Sequence, residues 1–384
     1  MQNFTYQNPT KIIFGAGQIA ALDAHVPPEA RVLITSGGGS IESNGVLAQV
    51  QAALGERVRF VFRGIEPNPN YETLMQAVAL AREEEVDFLL AVGGGSVIDG
   101  TKFIAAALEF DGDPWEILAT QAPVHAAMPF GSVLTLPATG SEMNSGGVIS
   151  RRASGDKLPF SSEATYPVFS ILDPTTTYSL PPQQIANGVV DAFVHIVEQY
   201  LTYPVDALVQ DRFAEGLLIT LTEVGPQALA DPHNYHVRAN LMWTATLALN
   251  GLIGAGVPQD WATHMLGHEL TALHGLDHAQ TLAIVLPAML TMRRDQKRAK
   301  LLQYAERVWH ITKGSDEQRI SAAIEATRAF FERMSVGTRL RDYQIGADSI
   351  DAMVSKLEEH GMTALGEHGD VTPEVSRQIY LLAA

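Results

Sequence analysis

The first half of the chain alternates between short apolar runs and amphipathic stretches. Arg31-Val-Leu-Ile-Thr35 and Val86-Asp-Phe-Leu-Leu-Ala-Val92 are nearly continuous apolar runs, each followed by glycines. Such runs suit strands buried on both faces of a parallel sheet. Between them, residues 45–54 and 71–84 carry apolar positions at helical spacing. Val133-Leu-Thr-Leu136 and Val168-Phe-Ser-Ile-Leu172 predict further strands. Strand, glycine-rich turn, helix, strand is the pattern of a doubly wound, Rossmann-like α/β layer. The pattern changes near Asp173-Pro174 and Pro181-Pro182, where prolines interrupt regular structure. Beyond them the spacing predicts helices over 183–201, 205–229, 236–252, 260–273, 279–292, 297–311, 316–334 and 348–360. The expected organisation is an α/β domain with a parallel sheet over residues 1–180 and an all-helical domain over 181–384.

Composition narrows the function classes. The 384 residues are 46% hydrophobic, enough for a sizeable core. With 26 basic against 43 acidic residues the formal charge is −17, which argues against a nucleic-acid or anionic-membrane partner. Cysteine is absent, so disulfides, Cys-ligated zinc, iron–sulfur clusters and thiol nucleophiles are excluded. Any metal must be held by His, Asp or Glu. Met1-Gln-Asn-Phe-Thr-Tyr6 lacks a basic segment followed by an apolar one, and the run Leu282-Ala-Ile-Val-Leu-Pro-Ala-Met-Leu290 is too short to span a bilayer. A soluble cytoplasmic protein is expected.

Three turns invite a phosphate. Gly93-Gly-Gly-Ser96 follows a predicted strand and precedes a helix, where glycines allow close backbone approach and free N–H groups face an anion. Ser36-Gly-Gly-Gly-Ser40 also follows a strand, as does Thr135-Leu-Pro-Ala-Thr-Gly-Ser-Glu142 with its hydroxyls. Neither triple glycine matches G-x-G-x-x-G, and Gly15-Ala-Gly17 lacks the third glycine. One such turn alone could be a plain loop. Three at strand ends in one α/β layer point to a dinucleotide, because ligands bind at that edge. No Asp or Glu lies within 35–40, where an acidic residue would repel a 2′-phosphate, so NADP(H) is favoured over NAD(H).

Asp191 and His195 are four apart and share a helix face, as do His264 and His268. His274-Gly275 reads as a helix end, and Asp277-His278-Ala279-Gln280 opens the next helix, which could return His278 beside His264. A lone buried His is more often structural. Two such pairs with further histidines nearby suit a divalent first-row metal with an open position. Spacing alone does not say which of His264, His268, His274 and His278 are ligands.

Gly93-Gly-Gly-Ser96-x-x-Asp99-x-x-Lys102, Thr139-Gly-Ser-Glu142, Asp191-x-x-x-His195-x-x-Glu198 and His264-x-x-x-His268 followed by His278 occur in this order. Over essentially its whole length the chain resembles the iron-containing (group III) alcohol dehydrogenases. It is most similar to their NADPH-dependent butanol dehydrogenase or broad-range aldehyde reductase branch, whose wording is approached by Ile65-Glu-Pro-Asn-Pro-Asn70 and by Gly254-Ala-Gly-Val-Pro-Gln-Asp-Trp-Ala-Thr-His264. The resemblance implies the dehydroquinate synthase-like fold of that family, with a metal site in a cleft between the dinucleotide and helical domains. By position, Asp191, His195, His264 and His278 resemble its metal ligands, and His268 a histidine near the substrate. Gly94, Gly95 and Ser96 resemble the pyrophosphate cradle, and Asp99 the residue near the nicotinamide. Thr135, Thr139 and Asn144 resemble the nucleotide wall, and Lys157 a lysine close to the cofactor. Gly37, Gly38 and Ser40 resemble a 2′-phosphate pocket. The metal would be iron or zinc, and the assembly a homodimer.

The expected reaction is reduction of a short-chain aldehyde to a primary alcohol, with hydride from NADPH and a cation polarising the carbonyl. His268 is the candidate proton relay, while Glu198 and Glu269 read as solvated or outer groups. The rival reading is a metal- and nicotinamide-dependent carbon–oxygen lyase of the dehydroquinate synthase type. That chemistry needs a strongly basic pocket, and 254–280 contains no Arg or Lys. A non-catalytic metal-binding protein is the third possibility, separated by whether NADPH binds.

Overall fold

Each apolar run predicted in the first half forms a strand in the computed structural model, which describes residues 1–384. A six-stranded sheet contains β1 (Lys11–Phe14), β2 (Val32–Ser36), β3 (Arg59–Phe62), β4 (Phe88–Gly94), β5 (Phe130–Leu136) and β8 (Phe169–Leu172). A separate antiparallel hairpin pairs β6 (Gly146–Arg151) with β7 (Asp156–Ser161). All pairings in the large sheet are parallel, in the order β1-β8-β5-β4-β2-β3. The near-continuous hydrophobicity of the central strands has a simple cause. Leu33, Leu89, Ala91 and Leu134 point into one buried cluster, while their neighbours Val32, Ile34, Leu90, Val92 and Val133 point into another.

The chain runs from β2 outward to β3 and then returns to the other side of β2 as β4. The carboxyl ends of β2 and β4 therefore flank a topological switch point, the usual ligand position in such sheets. Helices α1 (Val46–Leu54), α2 (Tyr71–Glu83) and α3 (Gly95–Glu109) accompany these strands. Asn70 caps α2 by accepting from the Glu72 N–H.

The second half is helical as expected: α4 (Pro182–Tyr200), α5 (Leu208–Ala230), α6 (Tyr235–Ala248), α7 (Ala262–His274), α8 (His278–Met292), α9 (Arg298–Arg307), α10 (Asp316–Arg333) and α11 (Ile350–Glu359). A further helix, α12 (Pro373–Ala383), was not anticipated. It packs Ile379 and Tyr380 into a core with Leu266, Leu270, Val285 and Met289. Helix α4 is buried throughout from Ile185 to Tyr200, and α8 nearly so.

The chain divides into two compact units. Gln7–Pro181 with Pro232–Thr246 forms one, and Met1–Tyr6, Pro182–Asp231 and Leu247–Ala384 form the other. No helix is long and apolar enough to cross a membrane.

Candidate metal centre and cofactor turns

Helix geometry assembles the metal candidates. Asp191 and His195 lie one turn apart on α4, and the side chains of both are buried. Helix α7 presents His264 and ends at Gly275, whose φ of 71° is the left-handed cap that ends a helix and turns the chain. Asp277 and Gln280 then form a capping box that starts α8 at His278. The reversal puts the His278 ring 5.0 Å from that of His264, centroid to centroid. One ligand atom from each of Asp191, His195, His264 and His278 lies within 4.8 Å of all the others. Asp191 Oδ1 is 3.5 Å from His278 Nε2 and 3.9 Å from His195 Nδ1.

This arrangement fits a divalent cation. His195 Nδ1 is buried without a hydrogen-bond partner. Burial, and then the neighbouring His264, hold the His195 pKa well below its usual value, which keeps the ring in the neutral form that binds metal. One carboxylate and three imidazoles make an oxygen–nitrogen set suited to Fe(II) or Zn(II). His268 borders the cluster, with its ring 5.6 Å from His278 and 6.4 Å from His264. His274 does not join it, and instead meets Ser349 Oγ at 3.1 Å. Trp261 stands edge-on to His264 at 5.3 Å.

The two glutamates are not solvated. Glu198 and Glu269 are each 3% exposed. Glu198 Oε2 is hydrogen-bonded to His264 Nδ1, whereas Glu269 pairs with His360 at 2.9 Å. Burial, with the Asp260 carboxylate nearby, pushes the Glu198 pKa well above the usual range, while the backbone N–H groups of Thr263 and His264 and the charge of Lys297 oppose that shift.

The cofactor candidates gather at the carboxyl ends of β2, β4 and β5. Strand β4 passes into α3 with no intervening loop, through Gly94 and Gly95. A Cβ on Gly94 would lie 2.9 Å from Leu136 Cβ, and one on Gly95 would lie 2.4 Å from Thr139 Oγ1. Only glycine permits this close approach, and it brings the Thr139 turn against the start of α3. Ser96 Oγ accepts from the Asn68 N–H at 3.3 Å, and Lys157 Nζ donates to Asn68 Oδ1 at 2.8 Å. Asp99 accepts from Ser141 Oγ at 2.5 Å and from the Val148 N–H at 3.1 Å. Thr135, 8% exposed, lies on β5.

At the β2 end, Gly38 and Ser40 are exposed, and no atom lies within 4 Å of a Cβ placed on Gly38. The Gly37 carbonyl accepts from the Gly64 N–H at 3.1 Å. Glu42, just past the turn, is engaged by Arg63 Nε at 2.7 Å.

Lys102 is the residue whose place the sequence did not disclose. Fully buried, it donates to Ser141 Oγ and Asn144 Oδ1, both at 2.8 Å, and to the Gly146 carbonyl at 2.7 Å. Burial lowers its pKa to about 8 against the pull of Asp99 and Glu142. Burial raises the pKa of Asp99 and of Glu142 in turn, and Glu142 accepts a hydrogen bond from Thr246 Oγ1 at 2.5 Å.

Comparison with known proteins agrees with this picture. The family model "Iron-containing alcohol dehydrogenase" matches residues 9–174, and "Fe-containing alcohol dehydrogenase family, C-terminal" matches 185–365. The chain is 66% identical over 383 residues to the NADPH-dependent aldehyde reductase YqhD of Escherichia coli K12, covering 99% of each protein. A crystal structure of E. coli YqhD superposes with a TM-score of 0.99 at 65% identity, over 100% of this chain and 99% of that one. The NADH-dependent butanol dehydrogenase A of Thermotoga maritima follows with a TM-score of 0.96 at 34% identity, over 100% and 99%. These matches favour a dehydrogenase over the lyase reading. The chain belongs to the iron-containing alcohol dehydrogenase family.

Proposed function

We propose that the protein is a metal-dependent, NADP(H)-linked aldehyde reductase that converts short-chain aldehydes to primary alcohols. The observation that carries this reading is the convergence of Asp191, His195, His264 and His278 in a chain 66% identical to an NADPH-dependent aldehyde reductase. Those four side chains would hold one Fe(II) or Zn(II). When bound, the cation supplies Lewis acidity to a carbonyl oxygen and the nicotinamide supplies hydride. The chain's own task is to bind and orient. Gly94, Gly95 and the start of α3 offer N–H groups to the pyrophosphate. Thr135, Thr139 and Asn144 wall the nucleotide, Lys157 adds positive charge, and Asp99 stands toward the nicotinamide end.

Gly37, Gly38 and Ser40 would take the 2′-phosphate, with Arg63 holding the Glu42 carboxylate in an ion pair. His268, beside His278, would pass a proton to the product oxygen. Assembly as a homodimer and a cytoplasmic setting belong to the same reading, and light scattering tests the former.

The decisive experiment is metal analysis of the purified protein beside NADPH- and NADH-linked reduction of an aldehyde panel. We expect one divalent cation per chain, faster turnover with NADPH, and loss of both cation and turnover in His264→Ala. Full activity without bound metal would overturn the site, and a preference for NADH would overturn the cofactor assignment.

A further inference from the structure

Helix α4 carries a further polar residue on the stripe that holds Asp191 and His195. Glu198 lies three residues past His195 and seven past Asp191, so all three share one face. Buried among helices, Glu198 spends every acceptor on the segment that begins α7. Its Oε2 meets His264 Nδ1, its Oε1 accepts from the Thr263 N–H at 2.7 Å, and its carbonyl accepts from the Asp260 N–H at 2.8 Å.

A second buried group locks the same junction. Lys297 Nζ donates to the Leu201 carbonyl, just past the end of α4, at 2.7 Å. It also reaches Asp260 Oδ2 at 2.8 Å and Glu367 Oε1 at 2.6 Å. Asp260 Oδ1 in turn accepts from the Ala262 N–H at 2.9 Å, at the first residue of α7. Side chains of Lys297, Asp260 and Glu367 are only 2–4% exposed.

Resting on the metal reading above, we propose that Glu198 is a positioning residue for the cation. Its carboxylate engages His264 Nδ1, so Nε2 is the atom that faces Asp191, His195 and His278, and the Asp260–Lys297–Glu367 triad holds the strand of chain that carries His264. A carboxylate behind a metal-binding imidazole fixes its tautomer and orientation and raises its basicity, and loss of such a partner typically weakens metal binding about 10- to 100-fold. Nothing in this arrangement requires Glu198 to touch the cation, the cofactor or the substrate.

The test compares wild type, Glu198→Gln, Glu198→Asp and His264→Gln, each stripped of metal and reloaded with Zn(II) or Co(II). Gln keeps the shape but loses the anionic acceptor; Asp keeps the charge but is one methylene too short to reach Nδ1. Chelator competition should show zinc affinity reduced about 10- to 100-fold in both Glu198 variants. The visible absorption bands of the Co(II) forms should shift, while far-UV circular dichroism and the melting temperature of the metal-free proteins stay near wild type. Should Glu198→Gln not fold, Glu198→Asp carries the same comparison. Zinc affinity within twofold of wild type and an unchanged Co(II) spectrum in either folded variant, with binding lost in His264→Gln, would overturn this inference and leave the metal site standing. Failure of wild type itself to bind either cation would overturn both.

Discussion

Two buried polar clusters, one in each unit, are satisfied in different ways. In the sheet unit, Lys102 spends its ammonium hydrogens on Ser141, Asn144 and the Gly146 carbonyl, Asp99 accepts from Ser141 and Val148, and Glu142 accepts from Thr246. Opposite charges are interleaved and each side chain has a protein partner, with Glu142 Oε2 alone left without one. In the helical unit, a carboxylate oxygen and three imidazole nitrogens converge within 4.8 Å, and His195 Nδ1 has no hydrogen-bond partner. The first arrangement makes sense as scaffolding on its own. The second turns a carboxylate and three imidazoles to one point with no cationic side chain among them, which suits a positive charge in its midst. The contrast separates a cluster that carries its own cation from one that is suited to receive one.

The sharpest break of that comparison is at the cation. Chelation, or Asp191→Asn, should cut aldehyde reduction at least about a thousandfold, since Lewis-acid assistance contributes several kcal/mol to the barrier. Stability should respond to very different degrees in the two clusters. Lys102→Met leaves two buried carboxylates without their cation and should cost about 3–5 kcal/mol by denaturant unfolding. Asp191→Asn should change the stability of the metal-free protein by less than about 1 kcal/mol.

A smaller effect is expected at the glycine turn. In Gly95→Ala the new methyl would meet Thr139 Oγ1 at 2.4 Å and Cγ2 at 2.6 Å. Such overpacking costs about 1–3 kcal/mol, and NADPH affinity by fluorescence titration should fall about tenfold or more. An unchanged affinity would remove this turn from the cofactor site.

The least effect is on pH. Lys102 has a folded-state pKa near 8 against an ordinary 10.5. Between those values the unfolded chain binds the proton more tightly, so the contribution of Lys102 to stability is lowest below pH 8 and rises as the pH climbs toward 10.5. The gap in melting temperature between wild type and Lys102→Met should therefore widen over that window.

Legibility in the sequence followed burial. Strands β2, β4, β5 and β8 and helix α4 are packed on all sides, and their apolar runs announce them. The edge strands β1 and β3 are short and half exposed, so four-residue stretches such as Lys11–Phe14 carry no comparable signal. The β6–β7 hairpin turns through Arg-Arg-Ala-Ser-Gly, a polar stretch that reads as loop. Helix α12 did have a local mark, since Thr372 accepts from Val375 and Pro373 occupies the first turn. The segment 232–246, which clusters with the sheet unit, is joined to it only by contacts distant in sequence.

Within the site, identical four-residue spacings could not tell His268 from His195, because spacing reports a shared face and not what the face meets. The turn at Gly275 decides, by returning His278 to the cluster and carrying His274 away. Glu198 was legible in its spacing but left between a solvated and an outer group, because glutamate is seldom fully buried unless paired, and its partner lies 66 residues away. Lys102 was hidden for the same reason.

The Gly275 reversal has one further consequence. Only residues 275–277 separate α7 from α8, and His278 is the first residue of α8. Because His278 follows directly on this short turn, a residue inserted into or removed from it would have to be absorbed at the start of α8, where His278 lies. The three-residue link thus acts as a ruler that sets where His278 falls in the cluster.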